Sequence, residues 1–121
     1  MVTIAMTMAI PAAKLPLWKT TTAEMAGPRQ EDFAASRRRQ GVSRQDMWLQ
    51  QGPDGPREIL VMETEDPAHA FELMATSDEP FDVWLREQIL HIFDLDLTQL
   101  AGPPPEQVLR WSVLHITQEG A

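Results

Sequence analysis

Cysteine is absent from the chain, which excludes disulfide staples, thiolate metal sites and thiol nucleophiles and leaves the redox compartment open. Long hydrophobic runs are missing as well. The apolar start, Met1 to Ile10, is far shorter than the about 20 residues a bilayer-spanning helix needs and has no basic leader, so it reads as a strand. Positive charge is scarce: 10 Lys and Arg stand against 18 Asp and Glu, a net charge of -8. That balance argues against a broad nucleic-acid surface, which needs clustered Lys and Arg. There is no phosphate-cradling glycine loop, no dinucleotide fingerprint, no serine nucleophile elbow and no paired-histidine zinc motif. A soluble, cytoplasmic protein with neither nucleic-acid nor membrane partner, and without cofactor or metal, is expected.

The 121 residues suit one domain spanning 1–121, with a Pro-rich loop at 94–106 and a tail at 118–121. Charge is divided along the chain: residues 1–50 hold seven basic and four acidic side chains, residues 51–121 three and fourteen. The basic cluster Arg37-Arg38-Arg39 reads as a solvated helix end that offsets the carbonyl pole of its macrodipole.

Ile4, Met6, Met8 and Ile10 alternate with Thr3, Ala5, Thr7 and Ala9, the period-two pattern of a strand with two unlike faces. Leu15, Trp18, Thr22 and Met25 then recur at helical spacing. Gly27-Pro28 breaks that helix, and a second piece runs from about Arg29 to Gln40, with Phe33 inward and Gly41 as its stop. Residues 44–51 and 57–65 flank Gly52-Pro53-Asp54-Gly55-Pro56 and read as a hairpin. With all five residues in the loop, Leu49 faces Ile59 and Met47 faces Val61. The reverse face then carries Asp46, Trp48 and Gln50 beside Leu60 and Met62. Asp66-Pro67 and Ser77-Asp78-Glu79-Pro80 are helix starts, the second followed by the stripe Phe81, Trp84, Leu85, Ile89 and Ile92. Gln107 to Thr117 reads as a last strand, with Leu109, Trp111, Val113 and His115 on one side.

The order β-α-β-β-α-β is the ferredoxin-like arrangement, an α+β fold with an antiparallel sheet and helices on one face. Its bare face predicts a second identical sheet across a two-fold axis, hence a homodimeric α+β barrel. The stretches Ser36 to Val42, Met47 to Gln51, Asp78 to Trp84 and Gly102 to Val108 carry a likeness over about residues 1–112. On these the chain resembles the dimeric α+β barrel superfamily, and more narrowly its small bacterial members whose activity is not established. That superfamily includes antibiotic-biosynthesis and haem-degrading monooxygenases, small aromatic cyclases, lactone isomerases and stress-responsive proteins. The haem-degrading members' Asn, Trp and His constellation has no match here, so haem is not expected. Phe93-Asp94 stands where a Gly or Asn would be expected to end the second long helix.

Among candidate catalytic residues, His91 lies near a helix end, with Glu87 one turn earlier to orient it. The same position also suits a histidine that merely offsets the helix dipole. Asp46, Trp48 and Met62 would form the floor of a cavity for a flat aromatic ligand, with Asp46 as a base. Alternatively, Trp48 packs at the dimer interface with Asp46 at its rim. Trp84 and Trp111 complete the candidate substrate contacts; Trp84 sits in a helical apolar stripe, where core packing is the commoner role. Two functional classes follow. One is a cofactor-independent monooxygenase, cyclase or isomerase acting on an aromatic or polyketide-like small molecule, for which the seven methionines suit an adaptable pocket. The other is a non-catalytic binding or assembly module, its partner docking on the acidic second helix or the Pro-rich loop.

Overall fold

The computed structural model describes residues 1–97 and 105–113. Strand β1 (Val2–Ala9) forms from the alternating N-terminal segment and leads through a 3-10 turn (Ala12–Lys14) into α1 (Leu15–Ala26). As expected, Gly27-Pro28 interrupts the helical run, and α2 (Gln30–Arg39) resumes after it. Glu31 and Asp32 in the first turn of α2 and Arg37, Arg38 and Arg39 in the last complement its dipole. Gly41, at φ 73°, turns the chain into β2 (Val42–Gly52), which a short turn joins to β3 (Gly55–Thr64). Next come α3 (Pro67–Thr76) and α4 (Pro80–Phe93). The Asp66 carboxylate caps α3 by accepting from the His69 amide at 3.1 Å, with Pro67 in the first turn.

The three strands form one antiparallel sheet in the order β1-β3-β2. Strand β3 is central, so β1 and β2 run parallel to each other on either side of it, joined through α1 and α2. The helices cover one face. There Ile4, Val42 and Met62 pack with Ala70 of α3, while Ile10 packs with Trp18 of α1 and Ile92 of α4.

The hairpin register differs from expectation by one residue. Only Pro53 and Asp54 lie between the last ladder pair, Gly52 opposite Gly55, so Trp48 faces Ile59, Asp46 faces Val61 and Met47 faces Leu60. Pro-Asp-Gly is a tight-turn sequence, and Gly55, at φ 96°, supplies the positive dihedral that a side chain would resist. Because side chains alternate, this one-residue slip exchanges the faces of β3 relative to β2. Leu60 and Met62 therefore join Met47 and Leu49 under the helices. Ile59 and Val61 stand beside Trp48 and Asp46 on the open face.

Residues 105–113 carry no strand, so the expected last strand is absent from the described part of 107–117; His115 lies outside the described residues. Helix α4 ends on Asp94 in the left-handed region, φ 55° and ψ 37°, its amide donating to the Leu90 carbonyl at 2.9 Å. Aspartate thus fills a role usually left to Gly or Asn. No helix among the described residues is long and apolar enough to cross a membrane.

Candidate functional site

Between the sheet and the helices lies a cavity of about 190 Å³. Six of the seven methionines line it: Met6 and Met8 from β1, Met25 from α1, Met47 from β2, Met62 from β3 and Met74 from α3. Their alternation on β1 and the bulge between Val42 and Arg44 on β2 aim these side chains to one side of the sheet. Thioethers are flexible and polarizable and conform to irregular apolar occupants.

Polar groups enter this wall from several elements, among them Thr21 and Thr22 of α1, Gln45 of β2 and Asp82 and Arg86 of α4, but those of β3 and α2 bear most on its chemistry. On β3, Glu58 is the sole ionisable side chain on the helix-covered face of the sheet, in the row Met8-Glu58-Leu49, and is 5% exposed. The Trp18 indole N–H donates to its Oε1 at 2.9 Å. Burial raises the Glu58 carboxyl above its ordinary range, and the indole hydrogen bond opposes this only in part. A carboxyl so placed exchanges a proton nearer neutral pH than a solvated one does.

The second polar group comes from α2. Helical spacing puts Phe33, Arg37 and Gln40 on one face, and both polar side chains reach the cavity wall. Arg37 donates to Gln45 Oε1 at 3.1 Å and to Ser36 Oγ at 3.0 Å, with its guanidinium 5.1 Å from the Phe33 ring centroid. Burial lowers its pKa to about 10, the Asp82 charge opposing and the Arg39 charge assisting, so it stays charged at neutral pH. The expectation of a wholly solvated Arg37-Arg38-Arg39 cluster is thus corrected: Arg38 and Arg39 are exposed, but Arg37 is buried because it sits one turn from the inward Phe33. Nearby, Asp82 of α4 accepts from Ser36, from Ser77 at 2.6 Å and from Arg39 at 3.1 Å. Burial alone would raise this carboxyl, but these hydrogen bonds and the Arg39 charge hold it below its ordinary range.

The residues singled out from the sequence are not brought together. Met62 lines the cavity and is 1% exposed, on the opposite side of the sheet from Asp46 and Trp48, so the floor expected of those three does not exist. Its cause is the two-residue turn. Asp46 accepts from Arg44 at 2.8 Å on the open face, where Trp48 is half exposed. Trp84 is packed by the Arg29 guanidinium, 4.1 Å from its ring centroid, and by Phe81, and it does not line the cavity. His91 and Glu87 are exposed on α4 and do not line it either. Trp111 is exposed on an irregular segment. Sequence reasoning missed Glu58 and Arg37. The signals were present: a lone acid in the apolar alternation of β3, and the spacing of Phe33, Arg37 and Gln40.

Among the described residues no cluster of His, Asp and Glu is arranged to hold a metal ion. Comparison of the chain with protein-family models, with curated proteins and with solved structures finds no match to it.

Proposed function

We propose that this protein is a cofactor-independent enzyme of isomerase type that holds a small aromatic carbonyl compound in the methionine-lined cavity and moves a proton with Glu58. The observation that carries this reading is the buried carboxyl of Glu58, held by the Trp18 indole at the wall of a largely apolar cavity. Cavity size favours a single-ring occupant, since about 150 Å³ suffices to hold benzene and this one measures about 190 Å³. Among the monooxygenase, cyclase and isomerase chemistries expected, isomerisation asks least of the site. The Glu58 carboxylate removes a proton from a carbon beside a carbonyl, the C–H electron pair forms the C=C bond as the carbonyl π pair moves to oxygen, and the proton returns at that oxygen. Nothing is oxidised or reduced.

Phenylpyruvate, with one ring and an enolisable ketone, is the probe. Methyl NMR should show the six cavity methionines shifting on its addition while Met1 stays unmoved. Glu58→Gln should keep these shifts and lose at least tenfold in the keto–enol rate. Unmoved cavity methyls, or an unchanged rate in the variant, would reject the reading.

A second feature supports the homodimeric barrel. The open sheet face carries an apolar strip of Ala5, Ile59, Val61 and Trp48 flanked by Arg44, Arg57, Asp46 and Glu63, two charges of each sign. In a chain of net charge -8 this neutral face can meet its own copy without net repulsion. A fourth strand beside β1, whose outer edge has no partner among the described residues, would complete the ferredoxin-like order.

A further inference from the structure

We infer that Arg37 and Gln40 form a headgroup subsite, so that the cavity takes a small hydroxy acid, its carboxylate accepting from Arg37 and its hydroxyl donating to Gln40. The inference rests on the cavity being the ligand site and names the class of ligand.

The side chains of Arg37 and Gln40 are 8% and 1% exposed as residues, and each holds one polar atom without a partner: the Arg37 Nε–H donor and the Gln40 Oε1 acceptor. Buried polar groups are ordinarily satisfied, because each orphan forfeits its hydration. One helical turn apart, on the last turn of α2 and at its C-cap, the two orphans are complementary in kind, one seeking an acceptor and the other a donor. A carboxylate alone satisfies only the first, and an alcohol alone leaves the cation unbalanced.

Local charge points the same way. Arg37 and Arg39 share a single carboxylate, Asp82, which Arg39 contacts directly and which meets Arg37 only through the Ser36 hydroxyl. Arg86, also at the cavity wall, donates to the Met74 carbonyl at 3.1 Å and has no ion pair among the described residues. Arg37 and Arg86 thus bring two guanidiniums to the wall of a largely apolar space, where Asp82 and Glu58 already accept from donors of the protein. An anion entering that space gains from both guanidiniums, and the planar Arg37 fork suits a carboxylate. The ring or alkyl part of the ligand would then lie among the methionines, with its reacting carbon towards Glu58.

Three probes of nearly equal size separate the claims: mandelate, phenylacetate and phenylacetamide, titrated at pH 7 against the full chain by calorimetry and methionine-methyl NMR. Binding should weaken in that order, with phenylacetate at least tenfold tighter than the amide and mandelate several-fold tighter again. The Arg37 Nε–H resonance should shift with both acids and stay with the amide. Arg37→Met should remove the acid preference, Arg37→Lys should keep part of it, and Gln40→Leu should erase only the advantage of mandelate. If the amide binds the wild type as tightly as phenylacetate, the anion subsite is refuted while the cavity reading stands. Equal binding of mandelate and phenylacetate refutes the hydroxyl contact. Should none of the three move the cavity methionines, the headgroup subsite fails with the cavity. The wild-type comparison decides even where Arg37→Met does not fold.

Discussion

At the scale of single residues, two buried carboxyls are shifted in opposite directions, and stability should record both. Glu58 is raised, so the unfolded chain releases its proton more readily than the folded one. Its contribution is present below the unfolded value of 4.5 and is lost as pH rises through the folded value. Asp82 is lowered, so its contribution is present above the unfolded value of 3.8 and is lost as pH falls through the folded one. Glu58→Gln keeps an acceptor for the Trp18 indole yet cannot ionise. Denaturation followed from pH 4 to 8 should therefore show the variant gaining on the wild type as pH rises. A constant difference across that range would mean that the Glu58 proton is not linked to folding. Asp82→Asn should flatten the acid limb below pH 4 and cost about 2 kcal/mol at neutral pH, because the hydrogen bonds from Ser36, Ser77 and Arg39 lose their charged acceptor. Arg37 shows why residue-scale reading went astray. Three consecutive arginines suggest a solvated patch by composition, but a helix distributes neighbours around its circumference, and only one of the three falls on the side of Phe33 and Gln40.

Elements were legible wherever their determinants are local. The alternation of β1, the break at Gly27-Pro28, the Asp66-Pro67 start of α3 and the Pro80 start of α4 each depend on a few adjacent residues, and each stands where its residues predict. The hairpin was legible as a hairpin, but its register was not. Gly52-Pro53-Asp54-Gly55-Pro56 offers turn residues at every position, so a five-residue loop and a two-residue turn share the same local signals. What separates them is which faces the sheet must bury, a property of the whole packing. Glu58 was lost with that register, because the expected pairing set Ile59 on the face that Glu58 occupies. The end of α4 is a third case: Phe93-Asp94 read as a departure from the usual stop, and the helix nevertheless stops there through a left-handed aspartate. Such a conformation costs a side-chain-bearing residue about 1 kcal/mol, less for aspartate than for most others. Asp94→Gly should relieve it and raise the melting temperature by up to about 4 °C. A fall would show that the Asp94 side chain supports the helix end in a way its backbone does not reveal.

For the whole molecule, the sheet has one face packed by helices around the cavity and one face that they do not reach, and the two should fail independently. The proposed dimer uses Trp48, Ile59 and Val61, whereas the methionines and Glu58 lie across the sheet. Trp48, on the open face of the edge strand β2, is 50% exposed, and so large an apolar side chain left in water is the natural anchor of an interface between copies. Trp48→Glu sets a like charge against its own image across the two-fold axis and removes the anchor. Sedimentation at micromolar concentration should show a wild-type dimer and a monomeric variant, with the cavity methionine resonances of the variant retained. Because the face is balanced in charge, raising the salt concentration should leave the wild-type dimer largely intact, unlike an interface held by opposite net charges. A wild-type monomer would leave the open face without its second copy, but the ligand site would survive, since every residue assigned to it comes from one chain.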